Sequence, residues 1–175
     1  MSVDILDKHD IMVKLDKAAS DVVKLLYQNG FKISTAESCT GGMLSQYITS
    51  VSGASDVLEY GICSYSERIK HKELGVTLEA LKEYGVVSDV VATQMALGVR
   101  NKADSDVGVG ITGIAGPGGF SESQPVGTVY AAVCYKNKIQ CQNLKLYNKY
   151  TNLDRQGVRL ATTLICFEMI KNILI

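Results

Sequence analysis

The stretch Ser34-Thr35-Ala36-Glu37-Ser38-Cys39-Thr40-Gly41-Gly42 joins a short apolar run, Gly30 to Ile33, to an amphipathic run, Met43 to Val51. It reads as strand, tight turn, helix, with Ser38 and Thr40 in the turn. Amide groups that open a helix have no partners inside it, so they can hold a phosphate or an oxyanion. The paired glycines Gly41 and Gly42 let a ligand or another backbone come close. A hydroxyl at that place, Ser38, is a candidate nucleophile. The structural alternative is that Ser38 and Thr40 only cap the helix.

Outward from this turn the chain alternates between helical and strand-like patterns. Apolar positions Ile11, Leu15, Ala18, Val22, Leu25 and Leu26 recur at helical spacing from Lys8 to Gln28, and Asn29-Gly30 stops that helix. Phe31 to Thr35 is a first strand, Val57 to Tyr65 a second and Asp106 to Thr112 a third. Glu67 to Leu74 and Leu78 to Tyr84 are short helices, each ended by a glycine, and Ser88 caps a helix through Asn101. Val126 to Tyr135 and Ile139 to Tyr147 flank the turn Lys136-Asn137-Lys138 as a hairpin, and a last helix runs from about Leu153 to Leu174. Helices alternating with short buried strands predict a three-layer α/β/α domain, and the hairpin makes its sheet mixed.

The 175 residues predict one domain, 1–175, in which residues 1–10 form a mobile N-terminal extension. Net charge is zero, without the basic excess of a nucleic-acid binder, so no nucleic-acid partner is expected. No apolar run is long enough to span a bilayer, and the start lacks a signal-peptide core. A cytoplasmic protein without a membrane partner is expected. The five cysteines are an odd set with no CxxC pair, which is neither a zinc spacing nor a disulfide framework. Cys39 stands apart from the others only because it adjoins Ser38.

Three further groups bear on chemistry. The run Gly113-Ile114-Ala115-Gly116-Pro117-Gly118-Gly119 follows a buried strand, where ligands of open α/β sheets bind. Its amides could form an anion nest beside Thr112, or the run could be a flexible surface loop. A serine nucleophile needs a base, and the only histidines, His9 and His71, do not follow strand ends. Lys70 could serve once its reference pKa of about 10.4 falls towards neutrality, with Tyr65 relaying a proton; equally, Arg68, Lys70 and Lys72 could line a solvated helix face. Arg155 and Arg159, four apart, suit a phosphate or a carboxylate, or surface ion pairs beside Asp154.

Together, Thr35 to Gly42, Tyr65-Ser66 with Lys70, Leu74-Gly75-Val76, Gly110 to Gly119 and Pro125 to Val129 resemble the CinA C-terminal domain family, over roughly residues 15 to 170. The resemblance implies an α/β/α domain with a five-stranded mixed sheet, often in a homo-oligomer. It also implies a nicotinamide-nucleotide amidase, which hydrolyses the carboxamide of nicotinamide mononucleotide to nicotinate mononucleotide and ammonia in pyridine nucleotide recycling. Its substrate is a small-molecule nucleotide, and neither metal nor cofactor is required. Ser38 would form the acyl-enzyme, with Lys70 and Tyr65 handling the proton. Thr40, Gly41, Gly42, Thr112, Gly113, Gly116, Gly118 and Gly119 would hold the oxyanion and phosphate, helped by Arg155 and Arg159. The alternative within the family is a catalytically silent nucleotide-binding or interaction module tied to competence or DNA-damage responses. The chain departs from the family pattern at Glu67, where asparagine is common, at Phe120, often a glycine, and at Glu122 and Gln124. A carboxylate at Glu67 is expected to raise the pKa of Lys70.

Overall fold

The Val-Gly-Val-Gly run that begins at Val107 forms the middle of the sheet and sets how closely the layers lie. The computed structural model describes residues 4–175. Its strands are β1 (Asp4–Ile5), β2 (Ile33–Glu37), β3 (Leu58–Cys63), β4 (Val107–Gly113), β5 (Val129–Tyr135), β6 (Lys138–Asn143) and β7 (Tyr150–Thr151). Its helices are α1 (Lys8–Asn29), α2 (Met43–Thr49), α3 (Glu67–Leu74), α4 (Leu78–Tyr84), α5 (Asp89–Ala103) and α6 (Arg155–Leu174). The main sheet has the order β3-β2-β4-β5-β6, with β3, β2 and β4 parallel and β5 and β6 antiparallel. This is the expected three-layer α/β/α arrangement around a five-stranded mixed sheet.

Alternation along β4 explains both layers. Val107, Val109 and Ile111 enter the large apolar core shared with α1, α2 and α6, where Leu15, Leu26, Ile48 and Phe167 are fully buried. Gly108 and Gly110 leave the other face bare for α5. A Cβ at Gly110 would stand 2.3 Å from the Ala92 carbonyl oxygen, and one at Gly108 2.2 Å from that of Ala96. At these two positions no side chain fits, so α5 meets β4 backbone to backbone there, with α3 and α4 beside it.

The register brings the carboxyl ends of three parallel strands level. Glu37 of β2 pairs with Cys63 of β3 on one side and with Ile111 of β4 on the other. The chain therefore leaves the sheet at Ser38 and Ser64 beside Thr112, near the end of β4, which is where a ligand site is expected.

Some boundaries differ from the sequence reading. β5 begins at Val129, because Pro125 to Thr128 forms a turn: the Thr128 amide donates to the Pro125 carbonyl and Gly127 has φ 91°. β6 ends at Asn143, ahead of the left-handed Lys145 and a short 3-10 turn. The start of the chain corrects the expected mobile extension. Residues 1–3 lie outside the described residues, but Asp4–Ile5 pairs in parallel with Tyr150–Thr151, and Leu6 is buried. Asp7 then caps α1, accepting from the His9 and Asp10 amides. No helix among the described residues is long and apolar enough to cross a membrane.

Candidate active site

Ser38 is the first residue beyond β2 and borders a cavity of 270 Å³. Its amide is committed to the Ile111 carbonyl at 3.0 Å, which ties the nucleophile to the end of β4. Gly41 (φ 62°) and Gly42 (φ 91°) turn the chain in the left-handed region, and the Gly41 amide closes back on the Ser38 carbonyl at 3.1 Å.

Lys70 comes from the first turn of α3, whose N-cap is Ser66. The lysine has no exposed surface. Its ammonium donates to Ser38 Oγ at 3.1 Å, to the Ser64 carbonyl at 2.6 Å and to the Tyr65 carbonyl at 3.3 Å. Burial lowers its pKa to about 8, against the smaller raising effects of Cys39 and Glu67. The Glu67 carboxylate thus acts in the expected direction, and burial outweighs it. The geometry suits a base: in the neutral amine two N–H groups satisfy the two carbonyls, leaving the lone pair for the Ser38 hydroxyl proton.

Cys39 also borders the cavity, but burial pushes its thiol pKa up to about 12, with Glu37 adding to the rise. A thiol so held stays protonated and is a poor nucleophile. Ser38 is the group beside the base.

The opening of α2 differs from expectation. Its N-cap is Gly42, without a side-chain cap, so neither Ser38 nor Thr40 caps the helix. Instead the buried Glu37 carboxylate accepts from the Leu44 amide (3.1 Å), the Ser45 amide (2.9 Å) and Ser45 Oγ (2.9 Å). Those helix-opening amides are already occupied by an anion and do not serve as a phosphate site. Glu37, standing immediately before the nucleophile, was missed as a functional residue; its adjacency to Ser38 was the available signal.

Thr40, Gly41 and Gly42, expected to help hold the substrate, fall outside the cavity lining. Thr40 is fully buried and its carbonyl accepts from Arg159 through Nε at 3.1 Å and Nη2 at 2.9 Å. Arg159 also donates through Nη1 to Gln156; it holds the nucleophile turn and lines the groove adjoining the cavity.

Thr112, Gly113, Gly116, Gly118 and Gly119 do line it. The Thr112 hydroxyl donates to the Val86 carbonyl at 2.8 Å, fixing the opposite wall formed by Val86 and Val87. Gln124, one of the departures from the family pattern, donates to the Val87 carbonyl at 3.0 Å and braces the same wall. A Cβ at Gly113 or Gly116 would collide with Thr128 or Val126, whereas Gly118 and Gly119 face open space.

Arg155, at the start of α6, donates to the Gly116 carbonyl at 2.6 Å and to the Tyr65 hydroxyl at 3.2 Å. Tyr65 is largely exposed at the cavity rim. Its carbonyl, not its phenol, meets Lys70, which corrects the expected proton relay between the two side chains. His71 bonds the Val76 carbonyl and does not line the cavity. A second groove of 640 Å³ shares Ala115, Gly116 and Arg155 with the cavity.

Known proteins carry this same architecture. The competence/damage inducible protein CihA from Agrobacterium tumefaciens superposes with a TM-score of 0.86 at 34% identity, covering 91% of this chain and 94% of its own. A CinA superfamily protein from Escherichia coli gives 0.84 at 26% identity, covering 98% of this chain and 95% of its own. A CinA-like protein from Shewanella frigidimarina is 40% identical over 157 residues, which is 90% of this chain and 36% of that protein. The chain spans about a third of the length of the curated relatives it matches. With the profile of the CinA C-terminal domain matching residues 15–174, nearly the whole fold and all of the site just described, the chain belongs to the CinA C-terminal domain family.

Proposed function

We propose that this protein is a serine amidase that hydrolyses the carboxamide of nicotinamide mononucleotide to nicotinate mononucleotide and ammonia. The observation that carries this reading is the fully buried Lys70 ammonium, 3.1 Å from Ser38 Oγ. A module that only binds nucleotides gains nothing from burying a lysine against a serine, because desolvating the charge costs several kcal/mol (~). A nucleophile that must lose its proton gains a base.

The chemistry follows from the geometry. Neutral Lys70 takes the Ser38 hydroxyl proton as Oγ adds to the amide carbon. The oxyanion that forms needs donors near Ser38. The Cys39 amide, which follows the nucleophile, and amides of the Gly113–Gly119 loop are the groups in reach of the cavity. The Lys70 ammonium then gives its proton to the departing nitrogen, and ammonia leaves an acyl ester on Ser38. Lys70, neutral again, takes a proton from water as the water adds to that ester, which releases the carboxylate and restores Ser38. Arg155 at the rim supplies the positive charge for a phosphorylated substrate, and the adjoining groove offers room for its sugar and phosphate.

The test is ammonia release from nicotinamide mononucleotide by the native protein and by Ser38→Ala. Release that is lost in the variant supports the reading. Binding of the nucleotide by the native protein without release would replace it with the non-catalytic module.

A further inference from the structure

Arg159 lines the adjoining groove beside Arg155, yet its hydrogen bonds run to the nucleophile turn. Each of its three nitrogens already donates: two to the Thr40 carbonyl, one to Gln156. Three of its five N–H groups are thus committed, and the fork of Nε and Nη2 is spent on a single backbone carbonyl.

What the arginine grips is one end of a hydrogen-bonded chain of peptide groups. The Thr40 carbonyl and the Gly41 N–H belong to one peptide unit. That N–H donates to the Ser38 carbonyl at 3.1 Å. The Ser38 carbonyl shares its own peptide unit with the Cys39 N–H. Among the described residues the Cys39 amide has no oxygen acceptor, whereas the Ser38 amide is spent on Ile111. A fixed positive charge therefore stands at one end and, beside the nucleophile at the other, an N–H that meets only its own residue's thiol, with two peptide units between them. A carbonyl that accepts a strong hydrogen bond makes the N–H of its own peptide a better donor, and such chains reinforce along their length.

We propose that Arg159 is a positioning residue for the oxyanion site. Its charge, relayed through the Thr40–Gly41 and Ser38–Cys39 peptide units, aims and strengthens the Cys39 N–H that receives the oxyanion. The proposal rests on the serine acyl-enzyme reading but not on which amide is the substrate.

The experiment compares the native protein with Arg159→Gln and Arg159→Lys by two readouts. One is the kinetics of nicotinamide mononucleotide hydrolysis. The other is the rate at which a fluorophosphonate labels Ser38, because its phosphoryl oxygen occupies the oxyanion site without any amide chemistry. Arg159→Gln is expected to lower kcat and the labelling rate about ten- to a hundredfold while KM stays within about twofold. Arg159→Lys, which keeps the charge but not the fork, should recover part of both rates, and the pH midpoint of kcat should not move in either variant. Thermal unfolding of the two variants checks that the fold survives. A raised KM with kcat unchanged would make Arg159 a substrate ligand and overturn the proposal. Labelling that is equally fast in all three proteins would overturn it as well. If the native protein labels at Ser38 but releases no ammonia, and Arg159→Gln slows the labelling, the substrate assignment fails and this proposal stands. A native Ser38 that does not label would overturn both.

Discussion

A single buried lysine decides what this site can do. In water Lys70 would be almost wholly protonated at neutral pH; with its pKa near 8, about a tenth of the molecules carry the neutral amine at pH 7. That advantage comes at a cost in stability, whose sign can be worked out. The pKa is about 8 in the folded chain and 10.5 as an ordinary lysine, so the unfolded chain holds this proton more tightly. The penalty is complete below about pH 8 and fades as pH rises towards 10.5. The difference in unfolding free energy, native minus Lys70→Met, is therefore expected to rise between pH 8 and 10 and to be flat between pH 6 and 7. A difference independent of pH across the whole range would mean that Lys70 titrates normally. At this scale the sequence was informative where motifs named residues, as with Ser38 and Lys70. It was silent where aim depends on a distant partner. The Tyr65 phenol is turned aside by Arg155, 90 residues away. Glu37 reaches forward seven and eight residues to the α2 amides, a reach that no helix-start rule contains.

At the scale of elements, the site depends on how closely α3 lies on α5. A Cβ at Gly98 of α5 would stand only 1.9 Å from the carbonyl oxygen of Leu74, the last residue of α3. Gly98→Ala must push the two helices apart, and α3 carries Lys70. The substitution is expected to cost about 2–3 kcal/mol by urea unfolding. It should also lower kcat about tenfold or more in the folded protein, because the base is moved from Ser38. Stability loss with kcat intact would show that α3 holds its place by other contacts. The helices α3 and α4 were legible to the residue, since Ser66 and Thr77 cap them and Gly75 and Gly85 end them. The start of β5 was not. Val126 to Thr128 is rich in strand formers, but the Pro125 and Gly127 turn overrides local preference there.

Across the whole molecule, three strand ends brought level by register make one cavity from segments around residues 38, 64 and 112. Alternating patterns and glycine runs made that layout readable in advance, because ligands of such sheets gather at the carboxyl ends. The chain's start is not legible in the same way, since its acidic, polar beginning resembles a solvated arm while its partner strand lies near residue 150. Leu6 packs beside Gly157 of α6, where a Cβ would stand 3.1 Å from it. Leu6→Ala is expected to cost about 2 kcal/mol in urea unfolding, and no change would return that segment to the role of an extension. Every step proposed at this site depends on Lys70 acting as the base for Ser38, which the pH dependence of kcat/KM for nicotinamide mononucleotide tests most directly. The predicted profile rises about tenfold per pH unit below pH 8 and levels off above it, and Lys70→Ala and the always-charged Lys70→Arg lose activity. A profile centred near the histidine range of about 6.5, or activity retained by Lys70→Arg, would contradict it.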